Sequence, residues 1–387
     1  MRDYVSIAPG FCRYLNPTIA LMYFNALRRA GLWAALLLLL CAADAQACSI
    51  CAPSDLQNTL MRRLAAADRV VLAQWAAPGG LAHPLVSASG LLPQSDLMVA
   101  GVLPGADALP PRLAGDAHLL LFNAGSQTWW SAGRLGVQRL PWLLEAMKMP
   151  VATADRTELQ LERARFFVRG LEDAEPLIAR AAYDEIATLP YATLRRVAPW
   201  VDAAALAVWV EDPALLSRRP LYYLLWGLQK KSGTLALLQA QLAQANTTLP
   251  VAELSALLAA LVEQGGAEGL LWVQQRFLQD PKIPDPSTQA ALLALSVHGG
   301  EAVRVTRQQV VQAYSAFIAA NPQRAGLVAS DLGTWEHWEF AQDFAQALQS
   351  GPGHAFTSRY AIVFYLLRNP TPEAKTALER LRSAGLL

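Results

Sequence analysis

Cysteine, lysine, histidine and net charge are all thin in this sequence. Of 387 residues, four are cysteine and five histidine, and charged residues make up only 16%. Acidic and basic side chains nearly cancel, at +1. With no dense basic run either, nothing steers the chain toward nucleic acid by its field. Only five lysines lie beyond residue 47, so the positive charge is mostly arginine, which reads as codon usage rather than function. No G-x-G-x-x-G, P-loop, H-E-x-x-H or G-x-S-x-G occurs, which removes the signatures of dinucleotide, phosphate, zinc-protease and serine-hydrolase chemistry. Acidic pairs such as Asp184-Glu185 are adjacent, so on a helix they diverge and make no glycosidase dyad. No cofactor site is indicated.

What is abundant is apolar residue, at 53%, which marks a globular chain. The length is too great for one ordinary core and predicts two domains. The segment "NALRRAGLWAALLLLLCAADAQA" reads as a secretory signal over 1–47. Arg28 and Arg29 form the positive region, Gly31 to Ala43 the apolar run, and Ala45-Gln46-Ala47 the cleavage tripeptide before Cys48. The run is short for a bilayer core of about 30 Å, which argues against a permanent anchor. Met22 would give a more compact start than Met1. The expected address is therefore exported, periplasmic or secreted, with no transmembrane helix in the mature chain.

Cleavage would leave Cys48 and Cys51 as the only thiols of the mature chain. Ala52 excludes c-type haem, which needs histidine there. Four readings stay open. A short-loop disulfide suits an oxidising compartment. A redox pair could use the following helix dipole, but no strand precedes it. Structural zinc needs four ligands, with only His83 and His118 nearby. A lipid anchor at Cys48 wants a large aliphatic residue three positions earlier, where Ala45 stands, although Ala47 suits the preceding position.

Residues 48–150 read as a mainly β domain. A helix is expected over 51–68, capped by Ser54 or Asp55, with Leu56, Leu60 and Leu64 on one face. "RVVLAQW" reads as a strand ending near Trp75, and a Gly/Pro/Ser-rich stretch follows over 77–94. "DLMVAGVL", "AHLLLFNAG" and "QTWWSAGRL" are further strands. Residues 151–387 change to paired amphipathic helices. Their expected starts are a capping box at Thr157 and Gln160, and Asp-Pro or Thr-Pro caps at Asp212, Asp285 and Thr371. The expected stripes are Leu177, Ile178, Ala181, Ala182 and Ile186 in one helix, and Ala374, Ala377, Leu378 and Leu381 in another. "AELSALLAALVEQGG" repeats the pattern and stops at Gly265. Such faces are buried by stacking pairs, the logic of a solenoid.

"LEDAEPLIARAAYDEIATLP", 171–190, resembles a HEAT-type repeat, with an acidic turn, a proline, an aliphatic stripe and a second helix. This resemblance extends over about 157–387 and implies a protein-binding surface. The whole chain also resembles a class of exported bacterial proteins that pair a Cys-led β region with such helices. "CSICAPSDLQ" followed by "AADRVVLAQ" resembles the start of netrin-like modules, which implies an OB-type barrel. In the inhibitors of that family the terminal cysteine can chelate a protease zinc, and the matching position is Cys48. The Cys-x-x-Cys spacing and the missing partner cysteines depart from that pattern.

Few polar side chains invite a site. In "TWEHWEF" a helix would place Glu336 and Glu339 three apart with His337 between them, a conceivable carboxylate–imidazole group. Against this stands an amphipathic helix whose Trp335, Trp338 and Phe340 pack. His298 in "SVHGG" is expected to end a helix with Gly299 as cap. Adjacent Trp129 and Trp130 on a strand face opposite sides, so Trp130 is a candidate contact. "YYLLW" at 222–226 and "FYLL" at 364–367 read as core. Arg195-Arg196, Arg218-Arg219 and Lys230-Lys231 read as solvated faces. The expected fold class is α+β, a small mainly β domain, OB-like, followed by an all-α HEAT-like solenoid. The expected function is protein interaction or scaffolding through the helical surface, without evident catalysis. The alternative is a thiol-disulfide or metal-handling envelope protein using Cys48 and Cys51.

Overall fold

A computed structural model describes residue 50 and residues 59–76, 80–103, 116–150, 156–229, 233–244, 249–350 and 356–387. The signal segment, Cys48, Cys51 and Lys230-Lys231 lie outside the described residues. Five strands come first: β1 (Arg69–Trp75), β2 (Leu81–Ser89), β3 (Leu97–Val102), β4 (Ala117–Asn123) and β5 (Thr128–Arg134). They close into a barrel in the order β1-β2-β3-β5-β4. β3 and β5 run parallel, and every other neighbouring pair is antiparallel. Closure removes the exposed edges that a small sheet would otherwise present.

β2 lies inside the Gly/Pro/Ser-rich stretch, where composition conceals it. Leu72 pairs with Val86 and Ala73 with Pro84, so Leu85 has no partner on β1. A second irregularity separates the pairs Val70–Ser89 and Val71–Ser87. Such bulges accommodate Pro84, which lacks an N–H, and break the two-residue alternation by which a strand is recognised.

Strand β1 is buried on both sides. Val71, Ala73 and Trp75 join Ala82, Leu97, Val99, Leu120 and Trp129 inside the barrel. Val70 and Leu72, pointing the other way, join Leu119 and Leu121 in a second core that continues through the helices. This is why "RVVLAQW" and "AHLLLFN" are near-continuous apolar runs rather than alternating ones.

Sixteen α-helices are present among the described residues. α1 (Leu60–Ala66) and α2 (Leu140–Lys148) frame the barrel. They are followed by α3 (Thr157–Phe167), α4 (Pro176–Ala187), α5 (Tyr191–Val197), α6 (Ala203–Glu211), α7 (Arg219–Leu228) and α8 (Thr234–Gln244). Then come α9 (Val251–Gly265), α10 (Ala267–Val273), α11 (Asp285–Glu301), α12 (Arg307–Ala320) and α13 (Ala329–Thr334). The last three are α14 (Ala341–Gln349), α15 (Phe356–Arg368) and α16 (Pro372–Ser383). None of the described helices is long and apolar enough to cross a membrane. The described part of Gln46–Leu387 is one compact unit, because the outer face of the barrel and the helices share the second core.

α9 is the centre of the helical part. It is buried on all sides from Glu253 to Glu263, not on a single stripe. Small residues allow this. A Cβ added at Gly227 of α7 would stand 2.6 Å from the Ala260 Cα, so the two helices meet nearly backbone to backbone. The α4 stripe is buried at Ile178, Ala181, Ala182 and Ile186, and the α16 stripe at Ala374, Ala377, Leu378 and Leu381.

Helix starts differ from expectation in instructive ways. Thr371 caps α16, accepting from Ala374 N–H at 3.3 Å. Asp212 accepts from Ala214 N–H at 2.8 Å, but the turn it caps is a short 3₁₀ segment, Pro213–Leu215. At α3, Thr157 lies inside the helix and makes no cap. Its intended partner Gln160 is buried and accepts instead from the Thr193 hydroxyl of α5, at 3.0 Å. Asp285 does not cap α11; it pairs with Arg324 at 3.2 Å. A complete capping box occurs at Thr306 and Gln309 of α12, where both reciprocal bonds form. The first described turn of α1 starts at Leu60, after an extended Thr59.

Candidate functional site

His337 is the centre of the polar candidate group, and the structure places it outside a helix. α13 ends at Thr334, Glu336 adopts a left-handed φ of 60°, and a short 3₁₀ turn starts at Trp338. The loop is pinned from α15 and the segment after it. The Tyr365 hydroxyl donates to the His337 carbonyl at 2.6 Å, and the Asn369 amide to the Trp338 carbonyl at 2.8 Å. His337 Nδ1 lies 2.9 Å from Glu339 Oε1. Glu336 is exposed and does not join them. The aromatics of this loop pack: Trp335 stacks on Tyr314 at 5.7 Å, Trp338 tilts against Tyr365 at 5.3 Å, and Phe340 is buried.

Trp129 and Trp130 do point to opposite sides of β5. Trp129 is inside the barrel, and Trp130 is half-buried on its outside. Trp130 donates its indole N–H to Thr128 Oγ1 at 3.1 Å and helps line a cleft of about 330 Å³ with Leu103, Leu121, Phe122 and Arg63. The ring lies over Gly101, where an added Cβ would be 2.9 Å from it.

Three of the four paired arginines, Arg195, Arg218 and Arg219, are not on solvated faces but tie distant segments together. Arg218 sends Nη1 to both oxygens of Glu172 at 2.9 Å, and Tyr222 donates its hydroxyl to the same carboxylate. Arg219 reaches Glu253 of α9 at 3.5 Å. Arg195 of α5 donates to Glu263 of α9 through Nε and Nη2, at 3.2 and 2.9 Å, and approaches Glu301 of α11 at 3.8 Å. Tyr191 also donates to Glu263, at 3.2 Å. Arg196 matches expectation more closely, pairing with Glu158 on the surface.

Electrostatics follow from this burial. Burial would raise the Glu263 carboxyl, but the hydrogen bonds and charge of Arg195 outweigh it and hold the group below its ordinary value. Burial raises Glu253 and Asp184, with Arg219 and Arg180 only partly opposing. Tyr223 is pushed up to about 12, again by burial first. His298 is buried inside α11 rather than ending it, since α11 continues to Glu301 and closes at Ala302 with φ 51°. Its Nε2 lies 2.9 Å from the Ala259 carbonyl, and burial holds the imidazole below its ordinary pKa. Gly299 is needed for packing: an added Cβ would sit 2.3 Å from the Trp335 ring. These buried charges hold helices together, and no described triad of His, Cys, Asp or Glu converges as a metal site.

No protein-family model, curated protein or solved structure matches this chain. The surface itself therefore carries the argument. Two apolar features stand out. On α6 and α8, Val208 and Leu237 are more than half exposed. The Gln241 amide donates to Glu211, tying these helices. Val208 precedes Glu211 by three residues and Leu237 precedes Gln241 by four, so each lies on its helix's side of that tie. On α15, Phe356, Tyr360, Phe364 and Leu367 are exposed, although "FYLL" reads as core. Only Tyr365 and Leu366 of that tetrad are buried. The signal was in the sequence: apolar residues occupy both faces of α15, and a helix at the periphery buries one.

Proposed function

We propose that this is an exported interaction or scaffold protein, an OB-type barrel followed by HEAT-like helix pairs whose surface receives a protein partner. The strand order and the parallel β3–β5 pair support the barrel reading. The succession of short helices after the barrel, several buried along one stripe, supports the repeat reading. The observation that carries the function is the apolar face beside the Glu211–Gln241 tie, where Val208 and Leu237 remain in solvent while the buried charges are used in helix-to-helix ties.

The test is capture from envelope extract with the wild-type chain and with the Val208→Glu, Leu237→Glu double variant. A partner retained by the wild type and lost from the variant supports the reading. Nothing above background, or identical recovery by both, removes it. Cys48 and Cys51 are proposed to close a short-loop disulfide. Intact mass before and after reduction checks this, since a bond adds two hydrogens on reduction, free thiols add none, and a lipid adduct would make Cys48 an anchor.

A further inference from the structure

We propose that α15 seats this protein on an anionic lipid surface. Phe356, Tyr360, Phe364 and Leu367 are 83%, 64%, 50% and 59% exposed. They recur at i, i+4, i+8 and i+11, which is one continuous ridge of three turns. The opposite face is held in the fold by Ile362, Tyr365 and Leu366, so the ridge is formed before it meets anything. Tyr360 and Phe364 stack at 6.4 Å with 13° between their planes.

The charged side chains of α15 itself are of one sign. Arg359 and Arg368 fall on its two sides at 100° per residue, and α15 contains no carboxylate. Arg368 stands over the Phe364 ring at 5.6 Å. Residues 356–387 carry five basic side chains against two acidic ones, whereas residues 48–355 carry 23 basic against 27 acidic. The segment that carries the aromatic ridge is thus net positive, while the chain from 48 to 355 is net negative.

Two other occupants fit less well. A second copy laid against α15 would oppose arginine with arginine on both flanks. A protein partner of ordinary size buries about 800 Å² per side, while these four side chains offer roughly 500 Å². Lipid sets no such threshold. Aromatic rings and leucine enter the boundary between headgroups and acyl chains, and arginines meet anionic headgroups above it. This role is independent of the protein-binding face on α6 and α8.

Co-sedimentation of the full chain with vesicles tests it. One set is phosphatidylcholine alone and the other phosphatidylcholine mixed with phosphatidylglycerol. The chain is expected to sediment with the anionic vesicles and to be released by high salt. Tyr360→Ser with Phe364→Ser is expected to lower the partition about tenfold, and Arg359→Glu with Arg368→Glu to abolish the preference for phosphatidylglycerol. All variants share every other segment with the wild type, so the difference reports α15 alone. Their circular dichroism should match the wild type, because the altered side chains are exposed, and only the glutamate variant, which gives up the Arg359 hydrogen bond to the Leu386 carbonyl, is expected to melt slightly lower. Equal sedimentation of the wild type and the serine variant overturns the proposal. So does equal binding to both vesicle types, or a soluble dimer that the serine variant loses.

Discussion

Arg195 ties three helices through Glu263 and Glu301. Its partners are 68 and 106 positions away, so no local spacing reveals them, and a pair of adjacent arginines reads as a wet surface. Removing one member leaves the other charge buried without its counter-ion. Arg195→Ala is therefore expected to cost about 3–5 kcal/mol, and the double replacement Arg195→Met, Glu263→Leu clearly less. Urea denaturation of the variants measures both. His298 gives a pH signature. Its folded pKa lies below 6.5 because of burial. As pH falls through about 6.5, the unfolded chain takes up a proton there and the folded chain does not, so stability is lost. Melting temperature should drop from about pH 7.5 to about pH 5.5 more steeply in the wild type than in His298→Gln. The raised carboxyls Asp184, Glu253 and Asp331 act with the opposite sign, but they are common to both proteins. Glu263, held low, acts only in more acid solution.

Helix α12 begins with a capping box and α3 does not, although both sequences read T-x-x-Q. What separates them is the neighbour of the glutamine. Gln160 is claimed by Thr193 of α5, whereas Gln309 is half-buried and turns back to Thr306. Thr306→Ala is expected to cost about 1 kcal/mol and Thr157→Ala close to nothing, as thermal unfolding would show. The strands β1, β3, β4 and β5 follow their apolar runs, although register shifts interrupt the β3–β5 and β4–β5 ladders. β2 is not legible in the sequence because its bulges and Pro84 interrupt the strand pattern. At "TWEHWEF" the aromatic spacing fits a helix, but Glu336 at φ 60° ends it. The loop is then held by Tyr365 and Asn369, residues that lie in and beyond α15. Of the candidate polar residues that the structure describes, only His337 and Glu339 meet.

At the scale of the unit Gln46–Leu387, the described helices share a core that reaches into the barrel wall. Val70, Leu72, Leu119 and Leu121 belong to it as fully as the helix residues do, and Arg139–Asp173 at 2.9 Å links α2's entry to the turn before α4. Barrel and helices should therefore unfold together. Near-ultraviolet and far-ultraviolet circular dichroism are expected to give coincident transitions, with a single calorimetric peak. A fragment comprising residues 48–150 is expected to expose that barrel face and aggregate. Sequence alone determined the class of each region, mainly β and then helical, because periodicity and turn residues act over a few neighbours. It also determined the scarcity of catalytic motifs. The tertiary structure decided which apolar residues are core and which are surface, since α15 has two apolar faces and only packing chooses between them. It likewise decided which arginines are tied and which glutamine caps, because those partners come from distant segments and folding alone brings them within hydrogen-bonding reach.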